Sequence, residues 1–135
     1  MILLDTDVLI DVALDRAPHA DASAGLVELL ERRSRMAFVS WHTLSNLYYL
    51  TRPLRGPEAA TAFLERLTRF ALVAPGDTEA FRFAASLEMP DLEDAMQVAA
   101  AWSCGARFIA TRNTRDFRKS PIPARTPAQL LKELS

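Results

Sequence analysis

Two patterns of apolar residues alternate along the chain and predict strands and helices in turn. Short, mainly apolar runs are typical of strands buried on both faces, and they lie at residues 2–4, 36–39, 71–73 and 107–110. The longer segments between them carry apolar residues at helical spacing. Strands separated by helices predict an α/β fold, a three-layer α/β/α sandwich around a short parallel β-sheet.

Capping residues and prolines set the expected bounds of the helices. Ser40 and Asp91 are suited to cap helices, and Gly105 is suited to end the helix that Asp91 begins. Pro53 is expected to stop the helix after Ser40, because a proline inside a helix removes a hydrogen bond. The expected helices are Val8–Leu14, Asp21–Arg33, Ser40 to Pro53, one that opens at Gly56-Pro57 and runs to Phe70, Thr78 to about Leu87, Asp91 to Gly105, and one that opens at Pro127 after a loop flanked by Pro121 and Pro123.

Bulk properties narrow the class of protein. The chain has 135 residues, of which 50% are hydrophobic, so we expect one domain over residues 1–135 with one core. No apolar run approaches the roughly 20 residues of a membrane span, so we expect no membrane partner. The single cysteine, Cys104, cannot form an internal disulfide, which fits a reducing cytoplasm. The net charge of −1 argues against non-specific coating of nucleic acid but allows a local basic patch.

Acidic and amide side chains follow the predicted strands and gather at one edge of the sheet. Asp5 ends the first strand, and Asp91 and Asp94 share one side of the first turn of a helix. The strand at 107–110 delivers three more polar residues to a loop: Thr111, Asn113 and Asp116. Because functional groups collect outside the carboxyl ends of parallel strands, we expect these side chains to meet in one cleft.

Such a cluster predicts a metal site. Two carboxylates about 5 Å apart repel by roughly 3 kcal/mol at an effective dielectric constant near 20, so a cation or protons must occupy the cluster. Oxygen ligands without a cysteine or paired-histidine spacing favour Mg²⁺ or Mn²⁺ over zinc. Asp7 and Asp11 are expected to be caps or surface acids, with Asp7 close enough to contribute a hydrogen bond. Glu93 is expected to point away into solvent.

Basic residues crowd the loop that carries Asn113 and Asp116, and they predict a phosphate-binding surface beside the metal. They are Arg107, Arg112, Arg115, Arg118 and Lys119. The alternative interpretation is a solvated charged face.

Aromatic residues are spaced as core or dimer-interface residues, and a base-stacking role, the minor alternative, would require them to be exposed. They are Trp41, Tyr48, Tyr49 and Trp102. His42, four residues before Asn46 on the same helix face, is expected to be a partly buried structural histidine that is able to reach the site.

Four segments of the chain resemble motifs of the PIN domain, a family that includes the VapC-type toxin ribonucleases. MILLDTDVLID resembles its opening strand-acid motif, SWHTLSNLYYL its second, DLEDAMQVAAAW its third and FIATRNTRDF its fourth. The match covers nearly the whole chain, and the motifs are specific jointly. Asp5 and Asp94 match the family's principal metal-binding acids. The second motif usually carries glutamate, where this chain has Asn46. The fourth commonly has an acid where this chain has Asn113, and Asp116 follows three residues later.

The resemblance implies a Mg²⁺- or Mn²⁺-dependent endoribonuclease that cleaves single-stranded RNA. It further implies the toxin of a toxin–antitoxin pair, with a cognate antitoxin as partner, and we expect a homodimer. In this hypothesis Asp5, Asp94 and Asp116 form the catalytic metal site. The supporting residues are Asn46, Asp91, Asn113, Thr111 and Asp7, and the RNA-binding residues are Arg112, Arg115, Arg118 and Lys119.

Two other functions stay open on the sequence. Because Asn46 is neutral, the chain fits a catalytically weakened RNA-binding or protein-interaction module with the same fold. The order Asp5-Thr6-Asp7 at a strand end also suggests a phosphatase with an aspartyl nucleophile. No lysine is suitably placed as its partner near the later acids, which makes the phosphatase the weaker alternative.

Overall fold

The central sheet contains five parallel strands, which seven helices connect and cover. A computed structural model describes residues 1–135. The strands are β1 (Ile2–Leu4), β2 (Ala37–Val39), β3 (Ala71–Val73), β4 (Phe108–Ala110) and β5 (Ala124–Arg125). The helices are α1 (Thr6–Ala13), α2 (Ala20–Glu31), α3 (Trp41–Arg55), α4 (Pro57–Leu67), α5 (Thr78–Ser86), α6 (Leu92–Ser103) and α7 (Pro127–Leu134), and a short 3-10 helix spans Thr114–Phe117. The predicted α/β fold is confirmed.

β1 lies at the centre of the sheet, whose strand order is β3-β2-β1-β4-β5. The chain builds outward through β2 and β3, and then crosses to the other side of β1 to form β4 and β5. The strand order therefore reverses between β1 and β4, and ligands of open parallel sheets bind at such a switch point. Leu4 pairs with Ala110 there, and the Asp5 N–H donates to the Ala110 carbonyl at 2.9 Å. Asp5 and Thr111 thus leave the sheet side by side.

The two faces of the sheet are covered by different helices, because alternate residues of a strand point to opposite faces. Ile2 and Leu4 belong to the larger core, to which α1, α2, α3, α4 and α7 contribute. Leu3 belongs to a second core with small residues of α6 such as Ala101, and α5 packs on α6. This arrangement confirms the three layers. None of the helices has the length and apolar composition needed to cross a membrane.

Side-chain caps set the first residues of the helices that border the carboxyl end of β1. α1 begins at Thr6, two residues earlier than predicted, because the Asp5 carboxylate accepts the Thr6 N–H at 2.8 Å. Ser40 and Asp91 cap α3 and α6 as predicted, and the Asp91 carboxylate accepts the Asp94 N–H at 2.9 Å. Most other observed helix ends lie one to three residues from the predicted ones.

The prediction that Pro53 stops a helix is wrong. α3 continues through Pro53 to Arg55, because the proline lies in the last turn and its missing N–H costs only one hydrogen bond there. Gly56 ends the helix with a φ of +88°, a backbone angle that suits glycine. The loop flanked by Pro121 and Pro123 is confirmed, but the edge strand that follows it, Ala124–Arg125, which pairs with β4, was not predicted. Edge strands tolerate neighbouring prolines.

Candidate metal centre

A hollow opens at the switch point, outside the carboxyl ends of β1 and β4. Residues from the start of α1, from α3, from α6 and from the loop after β4 line it. Its polar lining consists of Asp5, Thr6, Asp7, Asn46, Glu93, Asp94 and Asn113. The structure therefore brings the predicted residues Asp5, Asp94 and Asn113 together.

Asp5 is almost fully buried, with 6% of its surface exposed. Its Oδ1 accepts the Thr6 N–H at 2.8 Å and the Gln97 side-chain amide at 3.0 Å, and its Oδ2 accepts the Thr111 hydroxyl at 2.9 Å. Burial, and next the negative charge of Asp7, raises the pKa of Asp5 to about 7. All three donors are neutral, so the ionised Asp5 carboxylate keeps its full charge.

Asp7 is part of the hollow rather than a surface acid. Its Oδ2 accepts the Thr111 hydroxyl at 3.1 Å, the Arg112 N–H at 3.0 Å and the Asn113 amide at 3.2 Å. Its Oδ1 is buried without a hydrogen-bond partner. Burial raises the pKa of this carboxyl group. A buried carboxylate oxygen without a donor is costly, and a cation would satisfy it.

Asp94 stands in the first turn of α6, where three acids crowd together. Single carboxylate oxygens of Asp91, Glu93 and Asp94 lie within 4.8 Å of one another. Burial raises the pKa of Asp94 to about 7, and the negative charges of Asp91 and then Asp5 contribute further. Asp91 is exposed and acts as the cap of α6, so it lies at the outer edge of the centre.

The prediction that Glu93 points away into solvent is wrong. Its Oε1 lies 3.1 Å from Nε2 of His42, and Glu93 lines the hollow together with Asn46. Glu93 lies about 100° around the helix from Asp94, but its long side chain reaches back to the first turn of α3, which the angle alone does not reveal. His42 is partly buried as predicted and is the residue that holds Glu93 at the site.

Asp116 lies beside the hollow rather than in it. It stands on the 3-10 helix, is exposed, and borders a second depression with Pro90 and three cations, Arg115, Arg118 and Lys119. Its negative charge still contributes to the raised pKa of Asp94. Asp116 is therefore a neighbour of the centre.

Arg112 does not form part of a free basic surface, contrary to the prediction. Its Nε lies 2.5 Å from Oδ2 of Asp11, and Arg16 contacts Oδ1 of the same carboxylate at 3.0 Å. Asp11 is fully buried, so the prediction that it is a cap or surface acid is also wrong. The contact between Arg112 and Asp11 could not be predicted from the sequence, because the two residues meet only in the folded chain.

The aromatic residues are less buried than core packing requires. Trp41 is 74% exposed, Tyr49 65% and Trp102 57%, whereas Tyr48 is partly buried. The prediction of core positions is wrong for the three exposed residues. Their exposed positions leave the dimer-interface and base-stacking alternatives as predictions.

Gln97 and Thr43 are both fully buried, and no role was predicted for either of them. The Gln97 amide donates to Oδ1 of Asp5 and to Oγ1 of Thr43, the latter at 2.9 Å. One signal was present in the sequence: Gln97 follows Asp94 by three residues and interrupts an otherwise small and apolar helix face.

The fold and the hollow define the class: an α/β/α protein with acids gathered at the switch point of a parallel sheet. A family model described as the PIN domain matches residues 1–115, and the chain belongs to the PIN-domain family. No curated protein sequence matches the chain.

The solved structures that share the fold include three that are 16–18% identical to this chain. VapBC2 from Rickettsia felis, bound to a DNA fragment from its promoter, is 17% identical, with a TM-score of 0.71 over 93% of this chain and 98% of that chain. FitAcB from Neisseria gonorrhoeae is 18% identical, with a TM-score of 0.69 over 94% of this chain and 98% of that chain. VapC20 from Mycobacterium tuberculosis, a sarcin–ricin loop cleaving toxin, is 16% identical, with a TM-score of 0.67 over 81% of this chain and 87% of that chain.

A pair of matched substitutions tests the contrast between the two buried aspartates. Asp5→Asn should raise the free energy of unfolding without metal by on the order of 1–2 kcal/mol, because an amide removes a buried charge beside other acids. Asp11→Asn should lower it by about 3 kcal/mol, because two arginines lose their counter-charge. Urea unfolding in EDTA at pH 8 measures both. Equal losses in the two variants would contradict the assignment of an unpaired charge to Asp5.

The raised pKa values predict how stability depends on pH. The pKa of Asp5 and that of Asp94 are about 7 in the folded protein and 3.8 in the reference state, so the folded protein binds protons more tightly between these values. In EDTA, this contribution to stability should fall as pH rises from about 4 to 7 and then level off. Melting temperatures across this range, with Asp5→Asn as the control, measure it. A variant whose profile is as steep as the parent's would rule out Asp5 as a source.

Proposed function

We propose that this PIN-domain protein is a divalent-metal-dependent endoribonuclease that hydrolyses single-stranded RNA, and that it is the toxin of a toxin–antitoxin pair. One observation carries the proposal: Asp5 is buried beside Asp7 and Asp94, and only neutral groups donate to it. A buried carboxylate that stands beside other acids and accepts hydrogen bonds from neutral groups alone favours a bound metal ion. Membership of the PIN-domain family supports a nuclease.

The donor set of the hollow fits Mg²⁺ or Mn²⁺. Its acids and amides offer only oxygen ligands, which hard divalent ions prefer, and the unpartnered Oδ1 of Asp7 is an additional acceptor. Asp5 and Asp94 would hold the ion, and Asp7 and Glu93 would complete the negative environment. Asp116, beside Asp94, would orient the set from the rim.

Hydrolysis would proceed by in-line attack of water on a phosphodiester bond, without a covalent enzyme intermediate. When bound, the ion lowers the pKa of a coordinated water molecule and stabilises charge on the phosphate. Thr111 keeps Asp5 and Asp7 in place by contacting one oxygen of each. Asn46, which also lines the hollow, would offer its amide N–H to a phosphate oxygen.

The RNA would lie across the hollow and the basic depression beside it. Arg115, Arg118 and Lys119 are exposed there and are free of any ion pair with an acid. Cations next to a metal centre suit the phosphates that flank a cleaved bond. Arg112 is excluded from this set, because it neutralises Asp11.

The toxin assignment rests on the solved structures that share the fold. VapC20 is described as a toxin that cleaves the sarcin–ricin loop, and VapBC2 is described as bound to a DNA fragment from its promoter. By this analogy the partner would be a cognate antitoxin. The homodimer remains a prediction that the exposed side chains of Trp41, Tyr49 and Leu54 on α3 support.

Cleavage of a generic single-stranded RNA with and without Mn²⁺ tests the function. Asp94→Asn should reduce metal-dependent cleavage by more than about 100-fold, because even the loss of a partner outside the ligand shell costs up to that much. Its fold should persist, since neutralising one acid relieves repulsion. Asp21→Asn, a change in an exposed acid on α2, should cleave like the parent. RNA binding without cleavage in the parent would support the weakened module instead.

Asn46 and Glu93 line the same hollow, so moving the carboxylate from position 93 to position 46 tests whether both positions face the ion. Glu93→Gln should weaken the stabilisation by Mn²⁺ by roughly tenfold in apparent affinity, since a charged contributor is lost. Adding Asn46→Glu to that variant should restore it by returning a carboxylate from α3. Melting temperatures across a Mn²⁺ titration measure both.

Asn46→Glu alone should tighten the Mn²⁺ response and destabilise the metal-free protein, because it adds a like charge. If it changes neither quantity, position 46 does not face the ion.

A further inference from the structure

Gln97 is a fully buried polar side chain in the middle of α6. The residues around it on this helix are small or apolar, and most of them pack against the sheet or α5. An apolar residue of similar length would fill the same space without burying an amide. A buried polar group in such a place needs a partner that makes use of it.

The Gln97 amide donates both of its hydrogens, one to Asp5 of the candidate centre and one to Thr43 beside it. Nε2 donates to Oδ1 of Asp5 at 3.0 Å and to Oγ1 of Thr43 at 2.9 Å. Its carbonyl oxygen, Oε1, is buried without a partner. The side chain therefore leaves its acceptor unsatisfied while it uses both of its donors, which indicates that donation is its role.

The Gln97 amide that donates to Asp5 is neutral, whereas the groups that contact the buried Asp11 carboxylate are charged. Asp11 is also fully buried, but two arginines contact its carboxylate and neutralise it. Asp5 receives hydrogen bonds from Gln97, Thr6 and Thr111, none of which carries a charge. Such donors fix the orientation of the carboxylate and leave its charge available to a cation.

Thr43 connects Gln97 to the first turn of α3. Its Oγ1 lies 3.0 Å from Oγ1 of Thr6 and 2.7 Å from Oγ of Ser40. Gln97 therefore joins three elements that border the hollow: the end of β1, the start of α3 and the body of α6. Any shift among these elements would break one of its two hydrogen bonds.

We infer that Gln97 is a positioning residue, which holds the Asp5 carboxylate in its ligating orientation through a neutral hydrogen bond and ties it to α3 through Thr43. The inference rests on the proposed metal-dependent function and adds a residue that sets the metal affinity of the centre. Gln97 itself would touch neither the ion nor the RNA.

The test is Gln97→Met in the full-length chain, because methionine keeps the length of the side chain and removes both donors. The dissociation constant for Mn²⁺, measured from free Mn²⁺ by electron paramagnetic resonance, should rise roughly 10- to 100-fold. Gln129→Met is the matched control, since Gln129 is the only other glutamine and serves only the cap of α7. It should lower the melting temperature slightly and leave Mn²⁺ affinity unchanged.

A measurement on the unsubstituted chain guards against a variant that does not fold. The side-chain amide resonances of Gln97 should shift as Mg²⁺ is added, and those of the exposed Gln129 should not. An unmoved Gln97 resonance at saturating Mg²⁺ overturns the inference. A Gln97→Met variant that loses thermal stability but keeps the parent's Mn²⁺ affinity overturns it as well. If the parent itself neither binds Mn²⁺ nor cleaves RNA, the proposed function fails first, before any substitution is made.

Discussion

The structure depends on holding several carboxylates together at the end of β1 and β4 without neutralising them. Backbone hydrogen bonds of the parallel sheet set Asp5 next to Thr111, and the small residues of α6 let that helix lie close enough to present Asp94. Charges about 5 Å apart repel by roughly 3 kcal/mol at an effective dielectric constant near 20. The rest of the molecule must therefore supply rigidity around a locally unfavourable arrangement.

Helix α1 shows how the same residue type is used in two ways. Asp5 caps its start and accepts only neutral donors, whereas Asp11, further along, is enclosed by Arg16 and Arg112. The second arrangement is a structural ion pair that fixes the loop after β4 to α1. It takes Arg112 away from the surface, so a nucleic acid would meet the cations further along that loop, Arg115, Arg118 and Lys119.

The residues that could be predicted from the sequence are those placed by the end of a strand or the start of a helix. Asp5, Asp94 and Thr111 were predicted because each follows directly from a strand end or a helix cap. The prediction for Glu93 failed because the angle around a helix says where Cβ points and not how far a long side chain reaches. Asp11 was misjudged because Arg112, one of its two partners, is distant in the chain, and Gln97 was missed because its partner Asp5 is distant too; no local pattern records such a contact.

The two faces of the sheet are covered by cores of different size and composition. The larger core, built with Leu26, Leu30 and Leu130, lies on one face of the sheet, whereas the alanine-rich α6 that carries Asp94 and Gln97 covers the other. An ion present at about 100 times its dissociation constant would stabilise the folded chain by about 2.7 kcal/mol. That gain is close to the repulsion between two of the acids, so one bound ion offsets much of the local cost. Without the ion, the rest of the fold, chiefly the larger core, must offset that repulsion.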